Sequence, residues 1–252
     1  MIVAGEQDVM HLYRIGHIIA RILRDLQAHT IPGTTTGALD RLCGEMLRAH
    51  GATPAPQSAY GFPGQLCISV NDEVVHGIPA GRIIQAGDLV KLDLEAEKDG
   101  YIADATIAVA VPPVSRQHAR LLACGEAAFQ AGAQAARAGN RVYDIGRAVE
   151  AMVNKYGFSV VRELGGHGVG RKVHEPPHIP NYYTHVASQR LQEGQVMTIE
   201  PIINAGLPRI LRSGDGWTIR TADGLHSTHC EHTLIVTRDA PRIITALDGM
   251  ED

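Results

Sequence analysis

Asp93 and Asp104 are the two residues of this sequence best placed to hold a cation between them. They lie in GDLVKLDLEAEKDGYIADATIAVAV (87–111), where Val90, Leu92 and Leu94 alternate with Lys91, Asp93 and Glu95 ahead of an Asp99-Gly100 pair. Alternation that resumes beyond Asp-Gly marks a hairpin closed by a two-residue turn. Paired residue numbers then sum to 199, so Glu95 faces Asp104. Side chains repeat every second residue along a strand, which puts Asp93, Glu95 and Asp104 on one face. As diagonal cross-strand neighbours, the two aspartates stand roughly 7–8 Å apart at Cα, close enough for both carboxylates to reach one pair of ions. A solvated sheet face carries such acids equally well. The flanking Leu92, Leu94, Ala103 and Ala105 argue for burial instead, and a buried like-charged pair is costly unless a cation or a proton offsets it.

Two more acids repeat the pattern downstream. Gly87-Asp-Leu-Val-Lys-Leu-Asp93 matches Gly194-Gln-Val-Met-Thr-Ile-Glu200, and Asp104-Ala-Thr-Ile-Ala-Val109 matches Glu231-His-Thr-Leu-Ile-Val236. An internal repeat of this kind predicts two related halves whose equivalent carboxylates converge at a pseudo-twofold axis. Four carboxylates meeting there require either protons or about two divalent cations. An imidazole is available in GGHGVGRKVHEPP (165–177), where His167 and His174 are too unevenly spaced to share one strand face. The surrounding Gly165, Gly166, Gly168 and Gly170 are expected to let the backbone bend tightly past a ligand. These glycines match neither the dinucleotide-binding nor the P-loop spacing, so no phosphate cradle is expected. Oxygen-rich ligands with one imidazole suit a pair of first-row divalent ions, and such a pair sharing a water hydrolyses amides. A free substrate amine at an open metal position would select N-terminal peptide bonds.

The elements that must position these residues are legible in outline. Ile15, Ile18, Ile19, Ile22 and Leu26 form one stripe of a helix over about 6–27. A threonine run suited to capping precedes a second helix with Leu39, Leu42, Met46 and Leu47, ending before Gly51. A punctuated stretch follows, with a short strand at Leu66 to Val70 and the segment NDEVVHGIP, and then the hairpin. An Ala-rich helix over about 114–138 and a helix burying Ile145, Val149 and Met152 come next. Gly33 to Gly51 and Gly139 to Gly157 span equal intervals, in keeping with the repeat. Helices followed by strands in each half predict an α+β fold, a curved antiparallel sheet covered by helices on one face. No stretch has the composition of a linker, so residues 1–252 read as one domain, with pseudo-repeats at about 6–111 and 114–238 and no N-terminal extension.

Bulk properties narrow the class. A net charge of −4 without a basic stripe argues against nucleic acid as the main partner. Four scattered cysteines, Cys43, Cys67, Cys124 and Cys230, read as free thiols in a reducing compartment. No apolar run fits a signal peptide or a membrane span, which leads to the expectation of a cytoplasmic protein with no membrane partner.

Taken together, NDEVVHGIP (71–79), GDLVKLD with Asp104, GHGVGRKVHEPP (166–177), MTIEP (197–201), DGWTIRT (215–221) and CEHT (230–233) resemble the type I methionine aminopeptidases of the creatinase-like pita-bread fold. The resemblance spans nearly the whole chain. It implies a two-metal centre of iron, manganese, cobalt or zinc, with Asp104, His167, Glu200 and Glu231 on one ion and Asp93, Asp104 and Glu231 on the other. It further implies that Glu200 is the general base, that His174 bonds the substrate carbonyl and developing oxyanion, and that His76 contacts the scissile amide from the other side. Phe62, Cys67 and Trp217 match apolar positions of the side-chain pocket, with Tyr60 nearby. Family members usually carry an aromatic at the position of Ala59, and often another at that of Val173; either Tyr60 substitutes by a one-residue shift or the pocket is wider. Implied substrates are nascent polypeptides and short peptides with N-terminal methionine. Ribosome contact would have to use the catalytic body. Two rival readings are an X-Pro aminopeptidase of the same fold and a metal-free pita-bread binding protein.

Overall fold

In a computed structural model, which describes residues 1–246, five helices pack on antiparallel sheet. The helices are α1 (Glu6–His29), α2 (Thr36–Ala49), α3 (Ala55–Tyr60), α4 (Arg116–Ala135) and α5 (Val142–Tyr156). Thr35 caps α2 by accepting from the Ala38 amide, and Ser115 caps α4 by accepting from that of His118, each satisfying an otherwise orphaned donor. The α4 helix is shorter at both ends than the apolar pattern implied, because Ser115 starts it and the chain turns away after Ala135. Within α5, Val153 is buried in the place expected for Met152, which is half-buried at the cluster's edge.

The central hairpin forms with the expected register. Leu89–Lys98 pairs with Tyr101–Ala110 from Leu89↔Ala110 to Lys98↔Tyr101, with Glu95 abreast of Asp104 and Asp93 abreast of Thr106. Asp99 and Gly100 both have positive φ, 54° and 79°, as a two-residue turn matching strand twist requires. Leu92, Leu94, Ala96, Ala103 and Ala105 turn into a core shared with Ile15, Ile19 and Ile22 of α1, so Lys91, Asp93 and Glu95 point to the opposite face. A second core gathers α4 and α5 against Met197, Ile199, Leu234 and Val236.

The hairpin sits inside a nine-stranded sheet whose order places the candidate ligands on neighbouring strands. Leu89–Lys98 is followed by Tyr101–Ala110, Glu231–Ile235, Val196–Ile199, Gly165–Gly168 and Glu175–Pro180, all antiparallel. Cys67–Val70 lies along the other side of Leu89–Lys98, with Cys67 abreast of Asp93. Among the described residues, no helix is long and apolar enough to cross a membrane.

Candidate metal centre and its surroundings

Strand order alone brings the acids together. Glu231 is abreast of Thr106, which is itself abreast of Asp93, so the three form a row across three strands. Glu200 follows the Val196–Ile199 strand, and the His232–Ile199 pair brings it alongside Glu231. On the next strand, the register shifts between His167 and Gly168, a bulge that re-aims the His167 side chain into the cluster. Three of the four glycines have a packing role. Gly165, Gly166 and Gly168 line a strand held against its neighbours, while Gly170 lies beyond it with a positive φ of 131°. A Cβ on Gly166 would stand 2.4 Å from the Thr198 carbonyl oxygen, and one on Gly168 would stand 2.5 Å from that of Pro176.

Asp93, Asp104, His167 and Glu231 are all buried. Ligand atoms of Asp104, His167 and Glu231 lie within 4.8 Å of one another, as do those of Asp93, Glu95 and Asp104. Glu200 belongs to neither set, although its Oε1 is 3.8 Å from Nε2 of His229. The Nδ1 atom of His167 is 3.0 Å from the Gly168 carbonyl, which can only accept, so Nδ1 carries the proton. Burial, the nearby His174 and His178 and the Gly168 contact leave its pKa at about 3, and the ring is neutral. Its Nε2 lone pair is thus turned toward Asp104 Oδ2 at 3.5 Å. Lone pair facing carboxylate is repulsive unless a cation or a proton lies between, and a donated Nδ1–H is the usual arrangement behind a metal-bound imidazole.

The carboxylates carry the same message. Asp93 Oδ1, Glu95 Oε2, Asp104 Oδ1 and Glu231 Oε1 are buried with no hydrogen-bond partner. Leaving such oxygens bare is expensive. Burial pushes Asp93 up to about 6 and, with the charge of Asp93, Glu231 up to about 8. It raises Asp104, Glu95 and Glu200 well above the usual carboxylate range, with neighbouring acids adding to the effect. The donors that remain orient rather than neutralise. Thr106 donates its hydroxyl to Glu231 at 3.1 Å, and Thr233 donates its own to the Asp104 carbonyl at 2.8 Å while accepting from the Asp104 amide at 2.9 Å. Oxygen donors plus one imidazole, with orphaned oxygens aimed inward, fit a pair of hard divalent ions.

His174 arrives from the loop that follows the Gly165–Gly168 strand and folds back until its ring centroid is 4.2 Å from that of His167. Its Nδ1 is 2.7 Å from the Tyr60 hydroxyl. His76, with a left-handed φ of 58°, sits at the end of the Glu73–Val75 strand. Burial, His174 and Arg212 lower its pKa to about 4. Phe62 is buried edge-on to a half-buried Trp217, 5.3 Å between centroids. Tyr60 and His174 border a cavity of about 390 Å³ together with Ala59 and Val173, while Phe62, Cys67 and Trp217 lie outside its lining. The proposed pocket residues therefore fall into two groups.

Two polar residues at this centre had no assigned role in the sequence analysis. Glu95 was placed on the acidic face by the hairpin register but given no part in binding. His229, fully buried with both ring nitrogens unpartnered, faces Glu200 and carried no sequence signal beyond its closeness to Glu231.

Comparison with known proteins locates the chain. The model of metallopeptidase family M24 matches residues 11–238. Methionine aminopeptidase 2 of Bacillus subtilis (strain 168) is 42% identical over 249 residues, 98% of this chain and 100% of the relative. The crystal structure of methionine aminopeptidase from Rickettsia prowazekii superposes with a TM-score of 0.94 at 36% identity, covering 98% of this chain and 100% of that one. Prolidase from Pyrococcus furiosus, at 19% identity and a TM-score of 0.79 over 98% of this chain and 66% of its own, shares the fold alone. The α+β pita-bread fold is thereby established, and the chain belongs to metallopeptidase family M24, on its methionine aminopeptidase branch.

Proposed function

We propose that this chain is a two-metal aminopeptidase that removes N-terminal methionine from nascent proteins and short peptides. Asp104, His167, Glu200 and Glu231 would hold one ion and Asp93, Asp104 and Glu231 the other, with Asp104 and Glu231 as bridges. What carries the reading is the His167 Nε2 lone pair turned on Asp104 beside orphaned oxygens of Asp93, Asp104 and Glu231. When bound, divalent ions supply a nucleophilic hydroxide at neutral pH and Lewis-acid polarisation of the amide carbonyl.

The chain's own residues supply positioning and proton transfer. Glu200, its carboxyl pKa raised by burial, accepts a proton from the attacking water and returns it to the leaving amine. The Tyr60 hydroxyl, kept protonated by a raised pKa, donates to Nδ1 of His174, which leaves Nε2–H as the donor to the substrate carbonyl and the developing oxyanion. Neutral His76 contacts the scissile amide from the other side. Phe62, Cys67 and Trp217 receive the methionine side chain, with Tyr60 contacting the substrate from the neighbouring cavity. Four unpaired cysteines support a reducing, cytoplasmic setting, where emerging chains at the ribosome are the natural substrate pool. The repeated motifs support one domain of two pseudo-twofold halves.

The test is hydrolysis by the purified chain loaded separately with iron, manganese, cobalt or zinc. Free methionine released from Met-Ala-Ser is the expected result, and release with none of the four metals overturns the reading. Leu-, Val- and Pro-initiated peptides measure selectivity, and equal rates for Leu and Met peptides would mean a widened pocket. An X-Pro aminopeptidase would instead require proline in the second position. A metal-free binding protein would have no use for five converging ligands.

A further inference from the structure

We propose that Glu95 is an additional metal ligand of this centre, supplying a carboxylate oxygen to the ion position formed by Asp93 and Asp104. The inference rests on the two-metal reading above and extends it by one residue. Two features of the hairpin place Glu95 there. Cross-strand pairing sets it abreast of Asp104, and strand alternation sets it on the same face as Asp93, two positions away. Carboxylate oxygens of the three residues consequently lie within 4.8 Å of one another.

The state of those oxygens indicates what belongs between them. Oε2 of Glu95 is buried with no hydrogen-bond partner, and so are Oδ1 of Asp93 and Oδ1 of Asp104, residues that are only 8% and 3% exposed. Among the described residues, no Arg or Lys forms an ion pair with Glu95. Three bare oxygens from three acids, converging without a donor, form a ready-made coordination triangle for a hard divalent cation. Glu95 therefore raises the acids at the centre to five, Asp93, Glu95, Asp104, Glu200 and Glu231, against the four positive charges of two divalent ions. The ion position at Asp93 becomes richer in oxygen ligands than the ligand set implied by the family resemblance, and less open to further ligands.

Calorimetric titration of the metal-free full chain with Mn²⁺, alongside Mn²⁺ electron paramagnetic resonance, tests this. The parent should bind in two steps. Glu95→Gln, nearly isosteric, should leave the step involving His167 within about twofold and weaken the other by roughly tenfold or more, a loss of the size seen when supporting ligand contacts are removed. Glu95→Ala should reproduce that pattern, and Glu95→Asp should restore part of the lost affinity. A metal-free melting temperature no lower than the parent's is expected for Glu95→Gln, which removes one of the crowded acids. Two unchanged binding steps in Glu95→Gln would overturn the proposal while leaving the two-metal reading intact. Unchanged steps with a raised KM for peptides would also overturn it, by moving Glu95 to the substrate ammonium. A parent that binds no divalent ion would sink both.

Discussion

His167 and His174 sit with ring centroids 4.2 Å apart, and the tasks proposed for them differ with what each Nδ1 meets. A carbonyl behind His167 leaves an Nε2 lone pair suited to a cation; a phenol that donates to His174 would leave an Nε2–H suited to an oxyanion. His174→Ala should accordingly retain metal stoichiometry, as measured by elemental analysis, while kcat falls by about 10²–10³, the usual loss for one oxyanion donor. Tyr60→Phe removes the tautomer-setting bond and should lose a smaller part of the same rate. Asp104→Asn and Glu231→Gln, by contrast, should abolish both turnover and tight metal binding. Normal turnover in the Glu231 variant would end its assignment as a bridge. Titration gives a further expectation. Asp93 at about 6 and Glu231 at about 8 are raised by burial, so below those values an incoming ion must displace protons. Affinity should fall as pH drops from about 8 toward 6, with proton release detectable by calorimetry in buffers of different ionisation enthalpy. His167, neutral down to about 3, adds nothing to that slope.

At the level of elements, the site depends on a hairpin register and on how closely one glycine-rich strand packs. The register was readable from the Asp99-Gly100 turn because parity settles which face each residue takes, and a one-residue slip would send every acid into the apolar core. The packing of the glycine-rich strand is not legible in its sequence, which does not reveal its neighbours. Gly166→Ala tests that packing. Its Cβ would meet the Thr198 carbonyl at 2.4 Å, backbone that cannot yield cheaply. Thr198 also receives the His167 amide at 3.1 Å through its hydroxyl. A loss of about 1–3 kcal/mol in denaturant unfolding is expected from overpacking, together with weaker metal binding as His167 is displaced. Parental stability in that variant would return the glycines to a ligand-side role.

Across the whole molecule, the gathered acids oppose folding, and bound cations would offset them. Asp93, Asp104 and Glu231 are buried, with Glu95 and Glu200 beside them, so chelation should lower the melting temperature and resupply should restore it. At a free ion concentration of 100 times Kd, stabilisation of about 2.7 kcal/mol is expected, read as a shift in thermal unfolding with and without EDTA. Identical melting curves would mean that the cluster is neutralised by protons alone. The two cores explain why the remainder should hold meanwhile: α1 and α2 cover the hairpin, α4 and α5 cover the Val196–Ile199 and Glu231–Ile235 strands, and neither core includes the acids. From the sequence came the four long helices, the hairpin, its register and the acids proposed to bind metal, because capping, turn chemistry and alternation act over a few residues; the short helix Ala55–Tyr60 was not legible there. Only the tertiary structure decided that Glu95 keeps a bare oxygen beside Asp93 and Asp104, that His229 faces Glu200, and that His174 folds back onto His167. Those contacts depend on which distant strands become neighbours and how closely they pack, and burial of the whole chain selects that arrangement where local pattern does not.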